Sequence, residues 1–307
     1  MSALPDPAVT PLPVTAPPPI DAEGSRVRAF WRALRSNRFA LVGAALAVLL
    51  VLVALLAPVI APFPDDAGSA THPELALAKP SGDHLLGTDQ LGRDILTRVL
   101  YGARTSLRIA GSVLVLAVLI GVPLGLVAGY VGGWLDDVIM RVTDVFLAFP
   151  ALLLSLALAA VLSPSVGNAT IAIAATWWPW YARLARGSAV AIRDRGYVEA
   201  ARALGVSRRR ILARHVLPNA TTPVLVQASL DVGGVIITAA ALSFLGLGAQ
   251  DPTAEWGLMV SQGQGLLATN WWFPVAPGVA IVLAALAFNL LGDGLRTVLD
   301  PRKVAAR

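Results

Sequence analysis

The feature that most restricts this chain is a series of uncharged apolar stretches, each long enough to cross a lipid bilayer. A helix needs about 20 mostly apolar residues to span the roughly 30 Å hydrocarbon core, because each residue adds about 1.5 Å. Ala40 to Phe63 carries no charge, and neither does Ile109 to Leu135. Val145 to Ala182 is too long for one crossing. It is divided by Ser163-Pro164-Ser165-Val166-Gly167-Asn168, a turn-forming segment that predicts two helices. Val216 to Leu247 holds a single acid, Asp231, and Trp272 to Gly292 completes the series. The expectation is an all-α polytopic membrane protein with six transmembrane helices.

Charge position then sets the expected orientation. Only 14% of the 307 residues are charged, about half the ~25% of soluble domains. Nineteen of the 24 Lys and Arg residues fall on one side of the expected spans. They include Arg26 to Arg38 before the first span, Arg141, and the nine arginines from Arg183 to Arg214. The formal charge of +5 is therefore a topological signal, not a nucleic-acid surface. Both termini are expected in the cytoplasm of a cell whose plasma or inner membrane holds the chain. The expected order is a partly disordered cytoplasmic tail over 1–38 and a first span over 39–63. An extracytoplasmic loop follows over 64–103, with an amphipathic helix at Gly92 to Leu107 lying on the membrane surface. A core of five spans over 104–302 and a cytoplasmic tail over 303–307 complete the chain.

The cytoplasmic segment 188–219 carries the functional argument. Tyr197 to Gly205 is Ala-rich and ends on glycine, a common helix C-terminal residue. Ser207 is placed to cap a second short helix, which Pro218 is expected to interrupt. Val198, Ala201 and Leu204 share one helical face, and Ile211 with Val216 forms another. Arginines alone would fit a loop that merely sets topology, but a short rigid helix pair also suits docking into a groove on another protein.

The order of residues here, Glu199-Ala200-Ala201, three residues, Gly205, then Leu217-Pro218, resembles the EAA loop of ABC importer permeases. His84-Leu85-Leu86-Gly87-Thr88-Asp89-Gln90-Leu91-Gly92-Arg93-Asp94 is similar to the segment before the core spans of peptide and nickel importer permeases. So are Leu242-Ser243-Phe244-Leu245-Gly246-Leu247-Gly248 and Asn289 to Arg296 with Leu299-Asp300-Pro301-Arg302. The nearest likeness is to the second permease subunit of dipeptide and oligopeptide systems. The resemblance implies a type I ABC importer permease (MetI-like) fold that forms half of a translocation pathway. Its implied partners are a second, homologous permease in a pseudo-two-fold heterodimer, two ABC ATPase subunits and an extracytoplasmic substrate-binding protein. Glu199, Ala200, Ala201, Gly205, Arg208, Leu217 and Pro218 would then couple to the ATPases. Peptide is the implied cargo, with nickel or another small solute as the alternative. A non-transporting scaffold or sensor that binds an ATPase is the rival from another class.

Neither lysine, Lys79 nor Lys303, follows a glycine, so no phosphate-binding Walker loop exists in this chain. No H-E-x-x-H or G-x-S-x-G occurs, and the absence of cysteine removes thiolate metal sites and thiol nucleophiles. The chain is expected to be no enzyme and to hold no cofactor or metal, with ATP and Mg bound by the partner ATPases. Asp231, an acid inside the fifth span, and Ser243 are the candidates for the translocation pathway; Asp231 alternatively bonds a neighbouring helix. Gly121, Gly125, Gly129 and Gly133 repeat every four residues and predict close helix packing. Trp177, Trp178, Trp180, Trp271 and Trp272 are expected as an interfacial belt.

Overall fold

The computed structural model describes residues 37–299. The greater part of the expected 1–38 tail, the 303–307 tail and Asp300-Pro301-Arg302 of the last motif lie outside the described residues. Among the described residues the chain is helical, with no strand and one isolated bridge between Thr88 and Asp94.

Helix α1 (Arg38–Ile60) starts where Asn37 Oδ1 accepts hydrogen bonds from the N–H groups of Phe39 (3.1 Å) and Ala40 (3.2 Å). Its Val and Leu side chains are mostly exposed, as lipid contact requires. Only small residues are buried, among them Ala40, Gly43 and Ala47. They let α1 meet α9 (Trp272–Leu299) closely: a Cβ on Gly43 would lie 2.4 Å from the Leu291 nitrogen.

Helix α2 (Ile95–Val131) corrects the sequence reading at both ends. The surface helix expected over Gly92 to Leu107 is the beginning of α2, which runs 37 residues through Pro123 without a break. No helix breaker separates the two parts, and Arg98, Gly102 and Ser106 are buried in protein instead of facing headgroups. Asp94 Oδ1 sets the start by accepting the Thr97 N–H (2.7 Å). Gly132, at φ +69°, ends the helix four residues before the expected span end at Leu135.

The third expected span is not one helix. It is a pair, α3 (Gly133–Leu147) and α4 (Ala151–Val161), that meet at 87°. Pro150 lacks the N–H an α-helix would need there and disfavours helical backbone at Phe149. Asp136, Asp137 and Asp144 all stand on α3. Helix α5 (Val166–Arg193) follows, with Ser165 Oγ accepting the Asn168 N–H (3.1 Å).

After α6 (Gly196–Ala203), helix α7 (Arg208–Phe244) corrects another expectation. Pro218 does not interrupt it. Residues Leu212–Val216 form a π-turn, in which the Leu217 N–H bonds to the Leu212 carbonyl, and α-helix resumes at Leu217. The wider turn shifts the hydrogen-bond ladder just ahead of the proline, so its missing N–H is accommodated. The second helix of the pair is thereby fused to the fifth span. Helix α8 (Trp256–Gly263) packs between α7 and α9.

By length and composition α1, α2, α7 and α9 can each cross a membrane, and the bent α3–α4 pair is together long and apolar enough for either a broken span or a re-entrant loop. Helix α5, the expected fourth span, is 28 residues long but less apolar. One face of it is buried in protein, where Ile173, Tyr181, Ala182, Ala185 and Ala189 are all fully buried, while Ile171 and Trp180 are exposed. The core of the bundle is the parallel contact of α2 with α5. Cβ atoms on Gly121, Gly125 and Gly129 would lie 2.3, 2.1 and 2.5 Å from the carbonyl oxygens of Trp178, Ala182 and Arg186. Gly133 is not a rung of this ladder; nothing lies within 4 Å of its Cβ position, and its φ is +63°.

Candidate functional site

Three regions bear on function: the helix pair between α5 and α7, the contact between those two helices, and the opposite end of the bundle.

The first helix of the pair ends on glycine as expected. Gly205 takes φ +77°, with its N–H on the Arg202 carbonyl (2.9 Å) and the Val206 N–H on the Ala201 carbonyl (3.0 Å). Ser207 occupies the next N-cap position, but its side chain makes no capping bond. Val198, Ile211 and Val216 are fully buried and anchor the pair on the bundle. Arg202 stacks 5.4 Å over the Tyr130 ring and donates to the Arg193 carbonyl (2.5 Å), and Arg193 Nη1 donates to the Gly129 carbonyl (3.3 Å). These bonds clip the pair to the end of α2. Glu199, Ala200, Gly205, Arg208, Leu217 and Pro218 are exposed, and Ala201 is half-buried. Leu204 does not share the face of Val198 and Ala201. It lies beyond the end of α6 with 84% of its surface exposed.

Asp231 links α7 to α5. Tyr181 Oη donates to Asp231 Oδ2 (2.7 Å) and Gln227 Nε2 to Oδ1 (2.8 Å), so both carboxylate oxygens are engaged. Nearby, the side chain of Trp177 packs on Gly234, where a Cβ would come within 3.1 Å of the indole. Ser243 is placed differently from its expected position in a path. It is buried, and its Oγ accepts the Ala249 N–H (3.1 Å) to close the turn after α7. Glu255, also buried, caps α8 by accepting the Leu258 N–H (2.9 Å) and takes the Ser106 hydroxyl (3.3 Å). Burial raises the Glu255 carboxyl above its ordinary range, against the hydrogen bonds that favour its charged form. The tryptophan belt is partial: Trp180 and Trp271 are exposed, whereas Trp178 and Trp272 are buried in the bundle.

The segment 84–94 folds into a buried ionic junction that sequence reading did not foresee. Arg93 Nε donates to Asp89 Oδ2 (2.7 Å), and Arg98 Nε stands 3.6 Å from the same oxygen. His84 Nδ1 pairs with Asp94 Oδ2 (3.0 Å), and Asp66 Oδ2 accepts the Asp94 N–H (2.8 Å). Arg93 Nη2 also reaches Asp251 (3.1 Å), and Arg98 Nη1 reaches the Asp66 carbonyl (3.1 Å). The junction thus ties 61–94, the start of α2 and the α7–α8 connection together. Its sequence signal is the alternation of acids and bases four residues apart, Asp89 with Arg93 and Asp94 with Arg98. Asp89→Ala leaves two buried guanidinium groups without their shared counter-charge. It is expected to destabilise the protein by about 3–5 kcal/mol in thermal unfolding of the purified chain. Asp251→Ala removes a half-exposed partner and is expected to change stability by less than about 1 kcal/mol. Equal losses from the two would contradict this account.

Comparison with known proteins agrees with this arrangement. Residues 121–304 match the binding-protein-dependent transport system inner membrane component family, and residues 25–80 match the N-terminal TM domain of oligopeptide transport permease C. The chain is 42% identical over 298 residues to the dipeptide transport system permease protein DppC of Alkalihalophilus pseudofirmus, covering 96% of this chain and 97% of that one. It is 44% identical over 269 residues to the probable D,D-dipeptide transport system permease protein DdpC of Escherichia coli, covering 88% and 89%. The fold is that of the inward-facing MetNI methionine ABC transporter, at a TM-score of 0.53 and 18% identity over 66% of this chain and 97% of that one. With the helix pair, the glycine-packed core and these relatives in view, the chain belongs to the family of binding-protein-dependent transport system inner membrane components and is a multi-pass permease subunit of an ABC importer.

Proposed function

We propose that this chain forms half of the membrane pathway of an ATP-driven peptide importer. An extracytoplasmic binding protein delivers the cargo, and a second permease chain completes the pathway. ATP and Mg bind to two partner ATPases, which dock on the α6–α7 helix pair from the cytoplasm, where both termini also lie. The observation that carries this reading is the exposure pattern of the pair. Its three apolar anchors are buried while Glu199, Arg208 and the apolar tip at Leu204 face outward. Apolar surface displayed on a rigid, polar-flanked helix pair is what a hydrophobic groove recognises. The nine arginines from Arg183 to Arg214 favour a cytoplasmic position for that end. The peptide cargo is inferred from the dipeptide systems to which the similar permeases are assigned.

Reconstituting the chain in liposomes with its partner permease, ATPases and binding protein tests the reading. The expected result is ATP-dependent accumulation of a radiolabelled dipeptide, abolished when the binding protein is omitted. An intact assembly that hydrolyses ATP yet accumulates no peptide would overturn it. Accumulation of nickel instead would replace the cargo, and no accumulation of any solute would favour a non-transporting scaffold.

A further inference from the structure

Five basic residues fall on the side away from the arginine-rich end: Lys79, Arg93, Arg98, Arg104 and Arg108. Arg93 and Arg98 are consumed by the buried junction. Arg104 and Arg108 are different. They stand on the exposed face of α2, opposite the buried Gly102 and Ser106. Among the described residues no carboxylate oxygen lies within 4.0 Å of either guanidinium. Residues four apart on a helix are neighbours, and like charges so placed repel each other. Arginine at this end also opposes the charge asymmetry that orients the rest of the chain. An anion from outside the chain would relieve both costs.

The two arginines stand at headgroup level. Gly125 of α2 meets Ala182 of α5, so Leu126 is level with Arg183 at the arginine-rich end. From Leu126 back to Arg108 is about 27 Å at about 1.5 Å per residue, close to the roughly 30 Å of hydrocarbon. No charged residue lies between them. Helical side chains lean toward the N-terminus of their helix, so both guanidinium groups reach away from the hydrocarbon. Below them the same face continues as Gly111, Ser112, Val115, Leu116 and Leu119, all exposed. Nothing lies within 4 Å of the Gly111 Cβ position, which leaves a notch about one turn below Arg108. A free anion would use the arginines alone, whereas this face adds an apolar track directly beneath them.

We infer that Arg104 and Arg108 form a binding site for an anionic phospholipid of the outer leaflet, with its phosphate between the two guanidinium groups and an acyl chain along the Gly111–Leu119 face. Guanidinium suits this ligand because its planar fork pairs bidentately with phosphate oxygens. The choice of leaflet rests on the orientation proposed above. The site itself needs neither that orientation nor a peptide cargo.

The chain has no cysteine, so a single reporter cysteine can be introduced directly. Val115→Cys, two turns below Arg108, carries a bimane fluorophore in the full complex reconstituted without cargo or ATP. Quenching by dibrominated phosphatidylglycerol is compared with quenching by dibrominated phosphatidylcholine. Leu55→Cys, on the exposed face of α1, is the reporter away from the arginines. Phosphatidylglycerol is expected to be preferred at Val115→Cys by at least about threefold, and not at Leu55→Cys. Adding Arg104→Gln and Arg108→Gln together should abolish the preference, and adding Arg104→Lys and Arg108→Lys should keep most of it. A preference that survives the glutamine changes, or that is equal at both reporters, would overturn the site. Val115→Cys fluorescence that neither lipid quenches would place this face against the second permease, with the same result. So would glutamine variants that no longer assemble with that permease while the lysine variants do. Lipid preference is read without transport, so failure of the importer reading would leave these outcomes unchanged.

Discussion

Gly125→Leu is expected to abolish accumulation of the folded protein in the membrane. The Cβ it adds would lie 2.1 Å from the Ala182 carbonyl oxygen and 2.9 Å from the Ala182 Cα, both of them backbone. A flexible side chain could swing aside, but a helix backbone cannot move alone. Helices α2 and α5 would have to separate along their whole contact, taking the rungs at Gly121 and Gly129 with them. Overpacking a core commonly costs about 1–3 kcal/mol even where side chains can adjust, and a backbone obstruction is expected to exceed that range. Gly111→Leu provides the internal control. It lies on the same helix with nothing within 4 Å of its Cβ position, so its extra bulk faces outward. Folded yield by size-exclusion chromatography in mild detergent should fall to background for Gly125→Leu and stay near the unsubstituted level for Gly111→Leu. Comparable yields from the two would show that the glycine ladder is not what holds the bundle together.

Gly205→Val is expected to separate ATP hydrolysis from uptake while leaving the chain in the membrane. No atom lies within 4 Å of the Gly205 Cβ position, so the substitution causes no clash. The cost comes from the backbone: φ is +77°, and left-handed backbone is disfavoured for an L-residue by about 1–2 kcal/mol, more for a β-branched one. Relief requires a change in the bend between α6 and α7, which would redirect Leu204 and Glu199 relative to the ATPase. Because α7 is fused through its π-turn to the fifth span, a change at this bend re-aims α6 against a fixed α7. Peptide accumulated per ATP hydrolysed by the reconstituted complex should fall about tenfold or more, the equivalent of about 1.4 kcal/mol. Unchanged coupling would remove Gly205 from the coupling element. Gly205→Asn, which tolerates left-handed backbone better, should retain more of it.

How far function was legible in the residues differs from region to region. In the helix pair the first helix and its glycine stop were readable, because they are set by neighbours in sequence. The Ser207 cap, the interruption at Pro218 and the face of Leu204 were not. A three-residue spacing puts Leu204 on the face of Val198 and Ala201, but α6 ends at Ala203 and the side chain leaves that face. The break between α3 and α4 was missed for a related reason. Hydropathy averages over Val145 to Leu162 and does not register that Pro150 breaks the ladder inside an apolar run. Helix α5 shows the opposite effect, since Trp, Thr and Arg lower its apolarity while its small residues bury it in the bundle.

What the amino-acid order determined by itself was the all-helical membrane class, the arginine-rich end, the short helix pair with its glycine stop and three of the four glycine rungs. Each depends on local rules: bilayer thickness, charge asymmetry, capping and the helical repeat. Only the tertiary structure decided which charges meet. Asp89 is shared by Arg93 and Arg98, His84 takes Asp94, and Asp231 closes on Tyr181 fifty residues away. Ion-pair and hydrogen-bond partners depend on distances of a few ångströms between segments remote in sequence, and those distances exist only after the helices have packed.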